Sequence, residues 1–280
     1  MSIIGGKAGM VSCDAGISNV KKWSISSKAN LPSTANSSTQ GMEFNKAGNK
    51  DWSGSYEADG DTPAVYPGQK FAFEGASDAT HGASGNAIVD KVDIKIDIAG
   101  GNIISHTVSF SANGALTLGA VTVTDGGVPA VAGSVGCKVM YGVPATPQLY
   151  ASELPNVKSI TISLSAKNAS TVNSSSGGWT VREPGNWSVS VSIDCDVDTF
   201  AAIIATNTVL GLNIYVNATQ FWVIDWVIFG EASNIGADVE SGAIIGCTYN
   251  ASFDGEQVIS ATPTDGRIVT PAEDTIWPAA

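Results

Sequence analysis

Charge is scarce in this chain. Asp, Glu, Lys and Arg make up only 14% of its 280 residues, and acids outnumber bases 26 to 14. Holding nucleic acid by neutralising phosphates needs clustered Lys and Arg, so that class of function is excluded. Histidine occurs twice, as His81 and His106, and neither has a spaced second ligand. Surface or packing roles are expected of both, and no metal centre. The four cysteines, Cys13, Cys137, Cys195 and Cys247, lie far apart with no Cys-x-x-Cys pair. Isolated thiols suit a reducing compartment. The start, MSIIGGKAGM, lacks a signal peptide's apolar core, so secretion is not expected, and its GGKAG lacks the spacing of a phosphate loop. The longest apolar run, FWVIDWVIF at 221–229, is too short for a membrane helix and holds Asp225.

Chemistry is equally sparse. Cys195 has no His partner in a recognisable motif and is expected to be a buried, inert thiol. The paired acids of DGDTP and DVDTF lack a full calcium loop, so capping or solvated turns are expected there. No acid–base or nucleophile constellation rises above chance; no enzyme activity and no cofactor are expected.

What the chain does have is 31 Gly, 43% hydrophobic residues and much Ser, Thr and Val, a mixture that favours short strands and tight turns. In WSVSVSID, Trp187, Val189, Val191 and Ile193 alternate with Ser188, Ser190, Ser192 and Asp194. That period of two makes a strand with one dry and one wet face. KVDIKIDI (91–98) and SITISLSA (159–166) alternate likewise. One short helix is expected after Asp198, in TFAAIIATN.

The chain also repeats itself. STANSSTQG from Ser33 lies over STVNSSSGG from Ser170, 137 residues on (170 − 33). The same spacing pairs NVKKWSIS (19–26) with NVKSITIS (156–163), and Gly48-Asn49 with Gly185-Asn186. With two residues dropped, DWSGSYEAD matches NWSVSVSID and Trp52 meets Trp187. DIAGGNIISHTVSFSANG matches DVESGAIIGCTYNASFDG at 141 (238 − 97). Four matches in order imply an internal duplication. The expected organisation is a first β domain at 1–125, a linker at 126–136, a second β domain at 137–270 and an extended tail at 271–280. Each domain is expected to be an antiparallel sandwich or barrel, so the fold class is all-β. Pro63 and Pro67 leave the first copy's helix shortened or lost. The polar stretches 27–50 and 165–186 are expected to be arms that reach another subunit.

These residues resemble a family, the tail tube proteins of long-tailed bacteriophages. The likeness lies in a strand, a long Gly/Ser-rich loop, G-x-W-S-x-S-x-x-x-D at Gly185–Asp194, and then the DVESG and IIGCTYNASFDG pair at Asp238–Gly255. It implies β-sandwiches whose inner sheets join around rings that stack into a hollow tube. Two fused copies imply three chains in a pseudo-hexagonal ring, located in the virion and before assembly in the host cytoplasm. The implied partners are further copies of the chain, other tail proteins at the tube ends, and DNA passing without specific binding; no membrane is involved. Within that picture Glu57, Asp59, Asp194 and Asp196 are lumen-facing candidates on a negative bore, and Trp52 and Trp187 anchor the cores. Asn36, Gly41, Asn173 and Gly178 are candidates for contacts between rings, and Phe221, Trp222, Asp225 and Trp226 for subunit interfaces. The run around Asp225 reads equally well as a wholly internal strand. The alternatives are a capsid decoration or neck component, or a secreted adhesin or carbohydrate-binding module.

Overall fold

Alternation of apolar and small polar residues over long stretches gives a structure that is nearly all β. The computed structural model describes residues 9–35, 38, 40, 42–46, 48–78, 80–123, 133–143, 150–196, 209–217, 221–236, 246–253 and 266–268. Among these there is no α-helix. The predicted helix after Asp198, Asn36, Gly41 and the 271–280 tail lie outside the described residues.

The first half holds β1 (Met10–Cys13), β2 (Ala15–Ile17), β3 (Val20–Ala29), a small hairpin of β4 (Ser33–Thr34) and β5 (Phe44–Asn45), β6 (Lys50–Asp59), β7 (Lys70–Ala76), β8 (Gly82–Asp97) and β9 (Ser105–Gly119). The second half holds β10 (Lys138–Gly142), β11 (Ser152–Leu154), β12 (Val157–Thr171), β13 (Val181–Asp196), β14 (Val209–Tyr215), β15 (Phe221–Gly236), β16 (Gly246–Phe253) and β17 (Gly266–Ile268). All but β4 and β5 join one 15-stranded sheet, and every pairing is antiparallel except β15 with β17.

The neighbours in this sheet follow one order twice. In the first half they run β2-β1-β7-β8-β9-β6-β3, and in the second β11-β10-β14-β15-β16-β13-β12. Local irregularities recur at matching places. The β3–β6 ladder shifts register between Val20 and Lys22, and β12–β13 between Val157 and Ser159. The β8–β9 ladder shifts between Val89 and Lys91, and β15–β16 between Phe229 and Glu231. Asn19 and Asn156 open the corresponding strands with φ of 55° each, a left-handed geometry that Asn tolerates. Each carbonyl there accepts from the far strand, Asp59 N at 3.1 Å and Asp196 N at 2.9 Å.

One sequence match needs correction. Ser27 pairs with Trp52 and Leu164 with Val189, so the spacing of 137 runs unbroken through β6 and β13. Trp52 is therefore the counterpart of Val189, and Trp187 that of Lys50; no residues are dropped. Matching Trp to Trp is attractive in a sequence, but a two-residue slip preserves facing in a strand and goes unnoticed. Trp52 itself is buried, its Nε1 donating to the Gly114 carbonyl at 3.0 Å, and it packs with Phe73 and Phe110. The side chain of Trp187 lies outside the described residues.

The expected arms are alike where described: from the β3–β6 ladder, 27–50 runs on through the Asn30 N to Asn49 O and Lys46 N to Pro32 O bonds into the β4–β5 hairpin. The stretch 165–186 is a ribbon rather than a loop, because β12 and β13 stay paired as far as Thr171 and Val181. Gly185 sits where a Cβ would overlap the Lys167 carbonyl, and its counterpart Gly48 where one would come within 2.6 Å of the Asn30 carbonyl. Only glycine lets the two backbones approach so closely at both points. Buried side chains from both halves form one continuous core. At the end of the expected linker, Ser134 donates from N to Asn102 O at 2.9 Å and from Oγ to Asp97 O at 2.5 Å.

Candidate assembly edge and hydrophilic face

Strand β8 is long enough to serve two neighbours on one edge. Its first part, Gly82–Ile88, pairs with β7, and its last part, Lys91–Asp97, pairs with β12. The β8–β12 ladder puts Ile96, Ile94 and Val92 opposite Ile160, Ile162 and Leu164, all buried. This ladder joins the halves, and sequence reasoning missed it. The signal was present in the matching alternation of KVDIKIDI and SITISLSA, but nothing local says which strand pairs with which.

The ribbon adds a clasp across the same seam. Lys50 N donates to Gly178 O at 2.7 Å, Thr180 N to Lys50 O at 3.0 Å, and Gly114 N to Thr180 O at 3.0 Å. Lys50 Nζ lies over the Trp179 ring at 5.3 Å. The Arg182 guanidinium meets both Asp51 oxygens, at 3.0 and 2.9 Å, a fork-on-carboxylate geometry. Partial burial pushes Asp51 up, but the hydrogen bonds and charge of Arg182 outweigh it and hold the carboxyl below its usual value. The inter-ring candidate Gly178 thus binds within its own chain. Asn173, the other described one, caps a 3-10 turn at Ser174–Ser176, its Oδ1 accepting from Ser175 N and Ser176 N at 3.0 and 3.1 Å.

Besides the outer edges of β2 and β11, at which the sheet ends, two further edges lack a ladder partner among the described residues. Strand β3 pairs with β6 alone, and β15 beyond Ile228 pairs with β16 alone, among the described residues. These are the counterparts of the two edges that meet in the β8–β12 ladder.

The four acidic candidates share the hydrophilic face of the sheet. Lys21 reaches Glu57 and Asp59 at 3.5 and 3.3 Å, and Lys22 reaches Glu57 at 2.8 Å. The Lys22 hydrogen bond holds Glu57 below its usual value, and the Asp59 hydrogen bond raises Lys21. Lys158 reaches Asp196 at 3.2 Å, repeating the Lys21–Asp59 pair one half later. Asp194 accepts from Ser159 Oγ at 2.7 Å and Thr248 Oγ1 at 2.6 Å. Hydroxyls fill much of the remaining face, with Ser24 and Ser55 sharing a hydrogen bond of 3.2 Å and Ser165 and Ser188 one of 2.8 Å. Lysines thus neutralise Glu57, Asp59 and Asp196 locally, while Asp194 is held by hydroxyls alone.

The interface candidates Phe221 and Trp222 are buried within the chain, as are Val223, Ile224, Val227 and Phe229. The side chains of Asp225 and Trp226 lie outside the described residues. All four cysteines are free and buried, and burial pushes Cys195 up to about 11, so its thiol stays protonated at neutral pH. His106 is buried with Nδ1 2.9 Å from the Gly60 carbonyl, and burial lowers its pKa. His81 is exposed and bound to Asp78 at 2.9 Å. Among the described residues no three His, Cys, Asp or Glu gather to hold a metal.

No known family model matches the chain, and no curated protein is similar to it.

Proposed function

We propose that this chain is a self-assembling structural protein of a phage tail tube, three copies closing a pseudo-hexagonal ring and rings stacking around a channel for DNA. The observation that carries this reading is the pair of open edges. The β8–β12 ladder joins the two halves of one chain, and among the described residues the same two kinds of edge have no ladder partner at β3 and at the far end of β15. A joint already made once inside the chain can be made again between chains, head to tail. An unprotected strand edge is a ready template for such pairing. Six similar halves in three chains then fit the ring that the family resemblance implies.

In this reading the hydrophilic face lines the channel. A wall of Ser, Thr and Asn on which Lys21, Lys22, Lys91 and Lys158 are bound to acids gives phosphates no cluster of unpaired cations to grip, and a duplex slides past.

Negative-stain microscopy of the purified protein tests the proposal. Hollow rods with an axial repeat are expected. The variant Ile25→Lys puts a charge on the open β3 edge and is expected to leave folded single chains by circular dichroism and sedimentation. Monodisperse single chains of the unaltered protein overturn the tube and favour a decoration or binding module; rods unaffected by Ile25→Lys overturn the edge assignment alone.

A further inference from the structure

Two of the four cysteines face each other across neighbouring strands. Cys195 on β13 is the direct partner of Cys247 on β16. Directly opposed residues of an antiparallel ladder have Cα atoms about 4.5–5.5 Å apart and side chains on the same face. That separation falls inside the range that disulfides span, about 4.4–6.8 Å. Both side chains are buried, and the Cys195 Sγ lies 3.7 Å from the Cys247 carbonyl oxygen. The corresponding places in the first half hold Ala58 and His106, also direct partners, so the fold does not itself demand cysteine here. Cys13 and Cys137 sit on other strands or loops, Cys13 opposite Phe73 and Cys137 donating to the Val216 carbonyl.

We propose that Cys195 and Cys247 form a cross-strand disulfide when the chain meets a small-molecule disulfide in an oxidising medium. One cysteine, as thiolate, attacks the small disulfide and releases one thiolate. The second cysteine then attacks the mixed disulfide, forms the Cys195–Cys247 bond and releases the other. Two cysteine thiols are oxidised, the small disulfide is reduced to two thiols, and the two cysteine protons pass to them. Burial and the neighbouring Asp194 and Asp196 disfavour the Cys195 thiolate, so the exchange proceeds through local opening of the sheet and is slow in the closed fold. The bond ties β13 to β16, two strands separated in sequence by β14 and β15, and stabilises the fold chiefly by restricting the unfolded chain. The pair stays reduced where glutathione keeps thiols free and closes after transfer to an oxidising one. This chemistry is independent of whether the chain assembles into rings.

The test incubates the folded full chain with oxidised glutathione at mildly alkaline pH, with and without urea below the unfolding midpoint. Remaining thiols are alkylated and the protein is mapped by mass spectrometry. The expected result is a mass lower by two hydrogens, a linked Cys195–Cys247 peptide, alkylated Cys13 and Cys137, and a higher thermal midpoint that reductant reverses. Cys195→Ser is expected to abolish the link and leave at most a glutathione adduct on Cys247. Single adducts without the link in the unaltered chain, links to Cys13 or Cys137, or no reaction even in urea would overturn the proposal.

Discussion

Strands β3 and β12 occupy the same place in the two halves, yet they live in different surroundings. On β12, Ile160, Ile162 and Leu164 are fully buried because β13 flanks one edge and β8 the other. On β3, the counterparts Trp23 and Ile25 are only partly buried and Ser27 is exposed, with β6 on one edge and nothing described on the other. The difference teaches what a neighbouring edge contributes. It completes the backbone ladder and shuts water out from a row of side chains, and β3 shows the same strand before that happens.

Breaking the β12 side should have the largest effect. Leu164→Ala removes buried methyl groups at the seam and is expected to cost about 2–5 kcal/mol in urea unfolding. A cost like that of an exposed position would mean that the β8–β12 joint is not a packed one.

The clasp comes next. Asp51→Asn leaves Arg182 without its counter-charge and is expected to cost about 1–3 kcal/mol. Because the Asp51 pKa is lowered in the folded chain, the unfolded chain binds the extra proton first as pH falls. The contribution is full above the ordinary carboxylate pKa of about 4 and fades as pH drops through the lower folded value. Unfolding curves across that acid range should therefore be flatter for Asp51→Asn than for the unaltered chain; parallel curves would remove the ion pair from the account.

Ile25→Ala sharpens the comparison. In single chains about 1 kcal/mol is expected, since the side chain is only partly buried. In assembled material the loss should approach that of Ile162→Ala, its buried counterpart. Equal losses in both states would show that β3 acquires no neighbour.

The smallest effects belong to the repeated ion pairs. Lys21→Met and Lys158→Met are each expected to change stability by no more than about 0.5–1 kcal/mol, since the pairs are largely solvated, and to lose salt sensitivity alike. Unequal responses would set the two halves apart at this point.

Much of this was legible in the sequence. The period of two announced the strands and their dry faces, and the spacing of 137 led to Asn19 and Asn156, Gly48 and Gly185, each pair with a shared backbone role. Polar ends misled: Ser, Asn and Thr at 165–186 read as loop, because a ribbon beyond the core has no apolar face to advertise it. Phe221 and Trp222 read as well for an interface as for an interior, since sequence gives hydrophobicity but not what covers it. The lysines that neutralise Glu57, Asp59 and Asp196 come from adjoining strands, so the balance emerged only once the ladders were known.

Strand β8 gives one length of its edge to β7 and the next to β12. Sliding the halves past each other by a single rung would turn Ile94 and Ile96 toward water and bring Asp93 and Lys95 into the dry interior. The seam is thus quantised: it holds at one setting or comes apart, and a structure built by repeating it would resist shear as a zip does, tooth by tooth.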